Sequence, residues 1–277
     1  MPGKTPGPVR EPAVAGMFYE WDREALGRTL KTLFSKVKKG PEYEAVVSPH
    51  AGYVYSGRTA ARAIYSLRPG KRFIILGPNH TGLGSEFSMM ASGSWRTPLG
   101  PVRIDTGLAR ALERHGLAEE DGLAHAREHS IEVQLPFLQH RFGRAITFLP
   151  LSIMASGYTR PFLEQCKKLG SCLAEIATEH DARIIASSDF SHFISWEAAR
   201  ERDHKAIERI RELDLEGFFR TLQETRASVC GYAPIAVLMA AASRLGWKRV
   251  EVLDYTSSGE ATGDYGEVVA YAAIGFR

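Results

Sequence analysis

The sequence predicts an α/β fold built on a mostly parallel sheet, and three observations carry that expectation. Short apolar runs recur along the chain, each bounded by Gly, Pro, Ser or Asn: Val46-Val47-Ser48-Pro49, Phe73-Ile74-Ile75-Leu76-Gly77 and Arg183-Ile184-Ile185-Ala186-Ser187. Segments of helical period lie between such runs, and this alternation favours parallel strands joined by crossover helices. Three of the runs lead into a histidine, at His50, His80 and His192. Open α/β sheets hold ligands beyond the carboxyl ends of their strands, so three imidazoles are expected to meet at one rim. Imidazole is the commonest protein ligand of transition metals and the usual acid or base near neutral pH.

The elements follow in order. Residues 1–8 already contain five prolines and glycines and no apolar stretch, so residues 1–9 are expected to form a loose arm, not a signal peptide, ahead of one domain over 10–277. Gly3-Lys4-Thr5 lacks the glycine-rich turn and preceding strand of a phosphate loop. Asp22 is placed to cap a helix carrying Leu26, Leu30, Leu33 and Phe34 on one face and ending near Gly40-Pro41, with Lys36-Val37-Lys38-Lys39 at its solvated end. A strand ends at Ser48, a short helix spans 57–67, and a strand spans 73–76. Between residues 87 and 104, alternating residues broken by Ser92-Gly93-Ser94 and Pro98-Leu99-Gly100-Pro101 read as a hairpin, which makes the sheet mixed. Helices are expected over 107–115 and 131–142, a strand over 145–151, a long helix from 159 to about 179, helices over 197–212 and 233–245, and closing strands over 250–255 and 267–276. The glycine-rich polar loop at 255–267 reads either as a lid over a cleft or as a surface turn.

Composition narrows the function classes. A chain of 277 residues that is 44% hydrophobic buries a large single core. With 35 basic and 32 acidic residues the net charge is only +3, so no basic field for nucleic acid exists. No apolar stretch approaches the roughly 20 residues of a membrane span. Cys166, Cys172 and Cys230 are too few and too unevenly spaced for a disulfide framework, which points to the cytoplasm.

Chemistry concentrates in five segments. His50 sits in Ser48-Pro49-His50-Ala51-Gly52-Tyr53-Val54-Tyr55-Ser56-Gly57, where proline and glycine shape a sharp turn at a strand end, and His80 in Gly77-Pro78-Asn79-His80 repeats the design. In Ser188-Asp189-Phe190-Ser191-His192, Asp189 can orient His192, ligate a metal or cap the next helix, and His192 suits a proton-transfer role. Glu128-His129-Ser130-Ile131-Glu132-Val133-Gln134 reads as the capped start of an amphipathic helix, with His129 a neutral donor at its N-terminus. Cys230 precedes an apolar helix, where a thiol is expected to tend toward thiolate. With His50 and His80 it would form a two-histidine, one-thiolate metal set. With His192 and Asp189 it would form a Cys-His-Asp hydrolase triad. His115, His125, His140, His180 and His204 read as solvent-exposed, and Cys166 and Cys172 as packed or surface thiols.

Together these five segments, with Glu128 to Leu138 and Cys230-Gly231-Tyr232-Ala233-Pro234-Ile235 at their fullest extent, resemble in order the Memo family, including the prokaryotic members called AmmeMemoRadiSam system protein B. The resemblance runs from about Arg10 to Arg277. It implies a fold similar to that of the type III extradiol (LigB-like) non-haem iron dioxygenases, a three-layer α/β/α sandwich around a mixed, mostly parallel sheet. It further implies that His50, His80 and Cys230 stand at metal-ligand positions, His192 at that of the acid/base, and Asp189 and His129 in the pocket. Iron or copper is the metal so implied, and zinc is compatible with the thiolate that replaces the dioxygenase carboxylate. The expected function is a metal-dependent oxidoreductase, a dioxygenase or a relative of one, acting on a small molecule or peptide. Its rivals are a non-catalytic metal- or peptide-binding module and the metal-free cysteine hydrolase.

Overall fold

Neighbouring residues of the central strands enter two different cores, which explains why these runs are apolar throughout instead of alternating with polar positions. The computed structural model describes residues 7–277, so the Gly3-Lys4-Thr5 triplet and most of the expected arm lie outside the described residues. In chain order the elements are β1 (Val9–Arg10), α1 (Arg23–Ser35), β2 (Ala45–Ser48), α2 (Tyr53–Ser66), β3 (Arg72–Pro78), β4 (Phe87–Met89), β5 (Ser94–Thr97), β6 (Gly100–Ile104) and α3 (Thr106–Glu113). There follow β7 (Glu119–Glu120), α4 (Leu123–Ala126), a 3-10 turn (Glu132–Gln134), α5 (Leu135–Phe142), β8 (Thr147–Ile153), α6 (Arg160–His180) and β9 (Ala182–Ser187). The chain ends with β10 (His192–Ile194), α7 (Trp196–Arg211), α8 (Leu215–Thr225), α9 (Tyr232–Leu245), β11 (Val250–Ser257), α10 (Gly259–Thr262) and β12 (Val268–Phe276).

The sheet runs β1-β5-β6-β8-β3-β9-β2-β12-β10, with β11 paired to β12 and β4 to β8. Its centre, β8-β3-β9-β2, is parallel, while β12 joins β2 antiparallel. Ala45, Val47, Ile74, Leu76, Ile184 and Ala186 face a core covered by α3, α6, α7, α8 and α9. The residues between them, Val46, Phe73, Ile75 and Ile185, face a second core under α1, α2 and α5. This is the expected three-layer sandwich, and the hairpin expected over 87–104 is the antiparallel pair β5–β6, with β4 pairing instead with β8.

Several boundaries differ for local reasons. Val9 pairs with Ser94, so the first strand takes in one residue of the expected arm. The Asp22 cap is present, accepting from Ala25 N at 2.8 Å, but α1 stops at Ser35, and the lysine run lies beyond it. Helix α2 begins at Tyr53, whose hydroxyl donates to the Val133 carbonyl at 2.7 Å and so draws residues read as loop into the helix. Residues 131–142 divide into a 3-10 turn and α5, with Pro136 in the first turn of α5. Helix α8 had no counterpart in the expectations, although Asp214 caps it and Leu215, Phe218, Phe219 and Leu222 share its buried face.

His125 corrects a second expectation, because it is fully buried and not solvent-exposed. Its ring packs edge-on against Trp95, and among the described residues neither nitrogen finds a hydrogen-bond partner of good geometry. Burial, and then the Arg10 charge, lower its pKa from 6.5 to about 4. The folded state therefore prefers the neutral ring, and this contribution is complete above pH 6.5 and is lost as pH falls toward 4. Its size is on the order of 3 kcal/mol. His125→Phe is expected to remove that part of the pH dependence, measured by urea denaturation between pH 4 and 7. An unchanged slope would show that another group titrates there.

Candidate metal centre

Three adjacent parallel strands deliver the site. Ser48 of β2 lies beside Ser187 of β9, and Leu76 of β3 beside Ala186 of β9, so their carboxyl ends share one edge. His50, Asp189 and His80 follow those ends within two residues, and His192 opens β10. Two glycines let other segments close on this edge. A Cβ at Gly77 would lie 2.4 Å from Ser130 Oγ, so only glycine lets the Glu128–Ser130 segment reach the end of β3. A Cβ at Gly231 would lie 2.3 Å from the Ser187 carbonyl oxygen, and this close approach carries Cys230 to the same rim. Gly231→Ala is expected to cost about 1–3 kcal/mol of stability by overpacking. Chemical denaturation measures it, and a cost near zero would mean that the α9 start shifts freely.

Hydrogen bonds determine which nitrogen each ring presents. Ser187 Oγ donates to the Ser130 carbonyl at 2.6 Å and so can only accept from His50 Nδ1 at 2.9 Å and from Gln134 Nε2 at 3.0 Å. The Gln134 amide is oriented in turn by Ser48 Oγ and the Pro49 carbonyl, at 2.8 and 2.9 Å. His50 Nδ1 therefore carries the proton, and its bare Nε2 lies 3.3 Å from Cys230 Sγ. His80 Nδ1 donates to Glu128 Oε1 at 3.1 Å, so that in the neutral ring Nε2 is the bare nitrogen. His192 Nδ1 donates to the Ser228 carbonyl at 2.8 Å, with the same consequence. Such outer partners are how proteins set the tautomer of ligating or catalytic histidines.

Ligand atoms of His50, His80 and Cys230 all lie within 4.8 Å of one another. Two bare imidazole nitrogens and a thiol fit zinc, copper or iron, the thiol releasing its proton as the metal binds. A second group, His80, Glu128 and His129, is as tightly clustered. It suits a metal poorly, since the Glu128 carboxylate already accepts from His80 N, His80 Nδ1, His129 N and Ser130 N. Burial opposes the Glu128 charge, but these donors and the His80 and His129 rings overcome it and lower the pKa from 4.5 to about 2.

Other expectations change. Cys230 does not tend toward thiolate in the protein alone, because burial, and then the Asp189 charge, push its pKa well above 9. Its sulfur neighbours His50, while His192 Nδ1 donates to the Ser228 carbonyl, and among the described residues no hydrogen bond links His192 to Cys230 or to the Asp189 carboxylate as the hydrolase triad would need. Asp189 caps no helix, since Ser195 caps α7; its carboxylate accepts from His50 N at 2.8 Å and stands 3.9 Å from His50 Nε2. Burial raises the Asp189 pKa to about 6 against the hydrogen bond from His50 N–H. His129 lies outside any helix and stacks on His80 with centroids 4.8 Å apart. Its pKa is lowered, chiefly by burial. Ser130 donates to the Pro78 carbonyl at 3.0 Å and forms no cap.

A cavity of about 520 Å³ opens over these groups and is lined by His50, His80, His129, Asp189 and His192. Tyr55, Val269 and Tyr271 supply apolar wall, and among the described residues no lysine or arginine lines it. Ser258 and Thr262 bring the 255–267 segment to the cavity, with β11 extending to Ser257 and α10 following. Met17 and Phe18 close another side and were missed by sequence reasoning, as were Glu128, Gln134 and Ser187 as partners of the histidines. No local pattern marks them, because each acts across more than 45 residues of chain.

A profile of the Memo-like protein family matches residues 10–275. The chain belongs to that family. This Memo-like protein is 42% identical over 269 residues to a MEMO1 family protein of Methanosarcina acetivorans, covering 96% of this chain and 98% of the relative. It is 39% identical to a MEMO1 family protein of Aquifex aeolicus, covering 97% and 99% of the two chains. Among solved structures it resembles an uncharacterized protein of Escherichia coli K12, with a TM-score of 0.53 at 16% identity over 83% of this chain and 98% of that one, a likeness of fold alone.

Proposed function

We propose that this Memo-like protein is a metal-dependent oxidoreductase acting on a small molecule or short peptide held in the histidine-lined cavity. The observation that carries the reading is the approach of His50 Nε2, a His80 ring nitrogen and Cys230 Sγ to within 4.8 Å at the carboxyl edge of the sheet. Iron and copper are the favoured metals, with zinc third, and a bound ion would polarise a substrate oxygen or exchange electrons with it. His192, anchored through Nδ1, has Nε2 available to take or give a proton. His129, whose pKa burial lowers against the pull of the Glu128 charge, can donate a hydrogen bond to a substrate oxygen. Asp189 holds the His50 backbone. The apolar walls, with no lysine or arginine among the described residues that line them, suit an uncharged substrate body better than a phosphorylated one. Three free cysteines fit a reducing cytoplasm. Among the described residues no helix is long and apolar enough to cross a membrane.

The test is anaerobic purification of the wild type and of His50→Ala, His80→Ala and Cys230→Ala, reconstitution with iron, copper and zinc, and elemental analysis. The wild type is expected to hold close to one equivalent of metal and each variant far less. Four preparations equally free of metal would end this reading. Trapping of Cys230 by an electrophile together with indifference to chelators would favour the hydrolase instead.

A further inference from the structure

Glu132, placed by the sequence in a capping pattern, is fully buried and instead binds the chain's N-terminal segment. Arg10 Nη1 donates to it at 2.5 Å, the Tyr19 hydroxyl at 2.6 Å, and the backbone N–H groups of Ala13 and Val14 at 2.7 and 3.1 Å. Arg10 also donates to the carbonyls of His125 and Glu128 at 2.8 and 2.6 Å, and its guanidinium lies 4.1 Å from the centre of the Trp95 ring. The ion pair thus fastens residues 10–19 to residues 125–132 at several points.

Both fastened segments reach the cavity. On one side, the Glu128 carboxylate holds the His80 ring and the His129 backbone. On the other, Met17 and Phe18 form cavity wall, and the Phe18 ring packs edge-on against His129 with centroids 4.9 Å apart. A buried ion pair recovers its desolvation cost poorly as a source of stability, and its rigid, directional hydrogen bonds serve better to set geometry.

We propose that Glu132 is a positioning residue that locks residues 10–19 onto residues 125–132, so that the Met17–Phe18 wall and the His80–Glu128–His129 group are held as one unit. Only the metal readout of its test rests on the proposed function. The variants are Glu132→Gln, which keeps the size but not the charge, and Tyr19→Phe, which deletes a single hydrogen bond, both in the full chain. In metal-free protein, the Ala13 and Val14 amides of Glu132→Gln are expected to exchange hydrogen at least about 10-fold faster, and the His80 and His129 ring resonances to shift. Cobalt(II), used as the spectroscopic probe, is expected to bind about 10–100-fold more weakly with an altered absorption band. Tyr19→Phe should show the same changes at smaller size, and it carries the comparison if Glu132→Gln does not fold. Unchanged amide exchange would overturn the lock. Faster exchange with unmoved ring resonances and unaltered cobalt affinity would overturn the coupling. If the wild type takes no cobalt the metal reading fails, and the ring resonances alone then decide this proposal.

Discussion

If the proposed metal site is right, Cys230→Asp is expected to keep iron(II) and zinc while losing copper(I), whereas Cys230→Ala weakens all three. Aspartate would convert the two-histidine, one-sulfur set into two histidines and a carboxylate, a harder donor set suited to iron(II) and zinc, while copper(I) draws much of its affinity from thiolate. His50 Nε2, already bare and oriented through Ser187, remains available in either variant. Loss of a direct ligand should exceed the 10–100-fold cost of losing an outer partner, so a fall of more than about 100-fold is expected for zinc in Cys230→Ala. Competition titration against a chelator measures the affinities, and loss of the sulfur-to-metal charge-transfer band of the cobalt(II) form reports the ligand itself. Equal zinc affinity in wild type and Cys230→Ala would remove the sulfur from the site.

Glu128→Gln should damage both stability and metal affinity. The amide oxygen can replace Oε1 toward His80 Nδ1 and the His129 and Ser130 N–H groups, but the NH2 group then meets the His80 backbone N–H donor that Oε2 accepts from at 2.6 Å. Metal affinity is expected to fall about 10–100-fold because the His80 tautomer is held less firmly. The pH dependence carries a sign that can be checked. The folded pKa of about 2 lies below the ordinary value of 4.5, so the ionised Glu128 stabilises the fold fully above pH 4.5, and that contribution disappears as pH falls toward 2. It amounts to about 3 kcal/mol. The stability difference between wild type and Glu128→Gln should accordingly shrink between pH 4.5 and 2, as followed by urea denaturation. A difference that stays constant through this range would show that Glu128 is not held as the anion.

The fold was legible where local chemistry is strong. Asp22, Thr159 and Ser195 cap helices whose apolar faces are plain in one dimension, and the β2, β3 and β9 runs are apolar because both of their faces are buried. Of the site, His50, His80 and Cys230 were legible through strand ends, glycine turns and the family resemblance. Their supporting partners were not. Glu128 reaches back 48 residues to His80, and Ser187 reaches 137 residues to His50. A pattern read within a few residues makes Glu132 a helix cap, yet the charge of Arg10, 122 residues away, claims it.

Sequence alone therefore determined the α/β class with its mixed, mostly parallel sheet and the strand-end placement of the histidines, because periodicity, capping and turn chemistry are set by residues close together in the chain, while the layered architecture and the family came through the resemblance its motifs carry. Tertiary structure alone decided that Cys230 lies beside His50, that His50, His80 and His192 are each anchored through Nδ1, and that Met17 and Phe18 wall the cavity. Those outcomes depend on packing and hydrogen bonding between segments far apart in the chain, brought into contact at one sheet edge through approaches as close as those of Gly77 and Gly231.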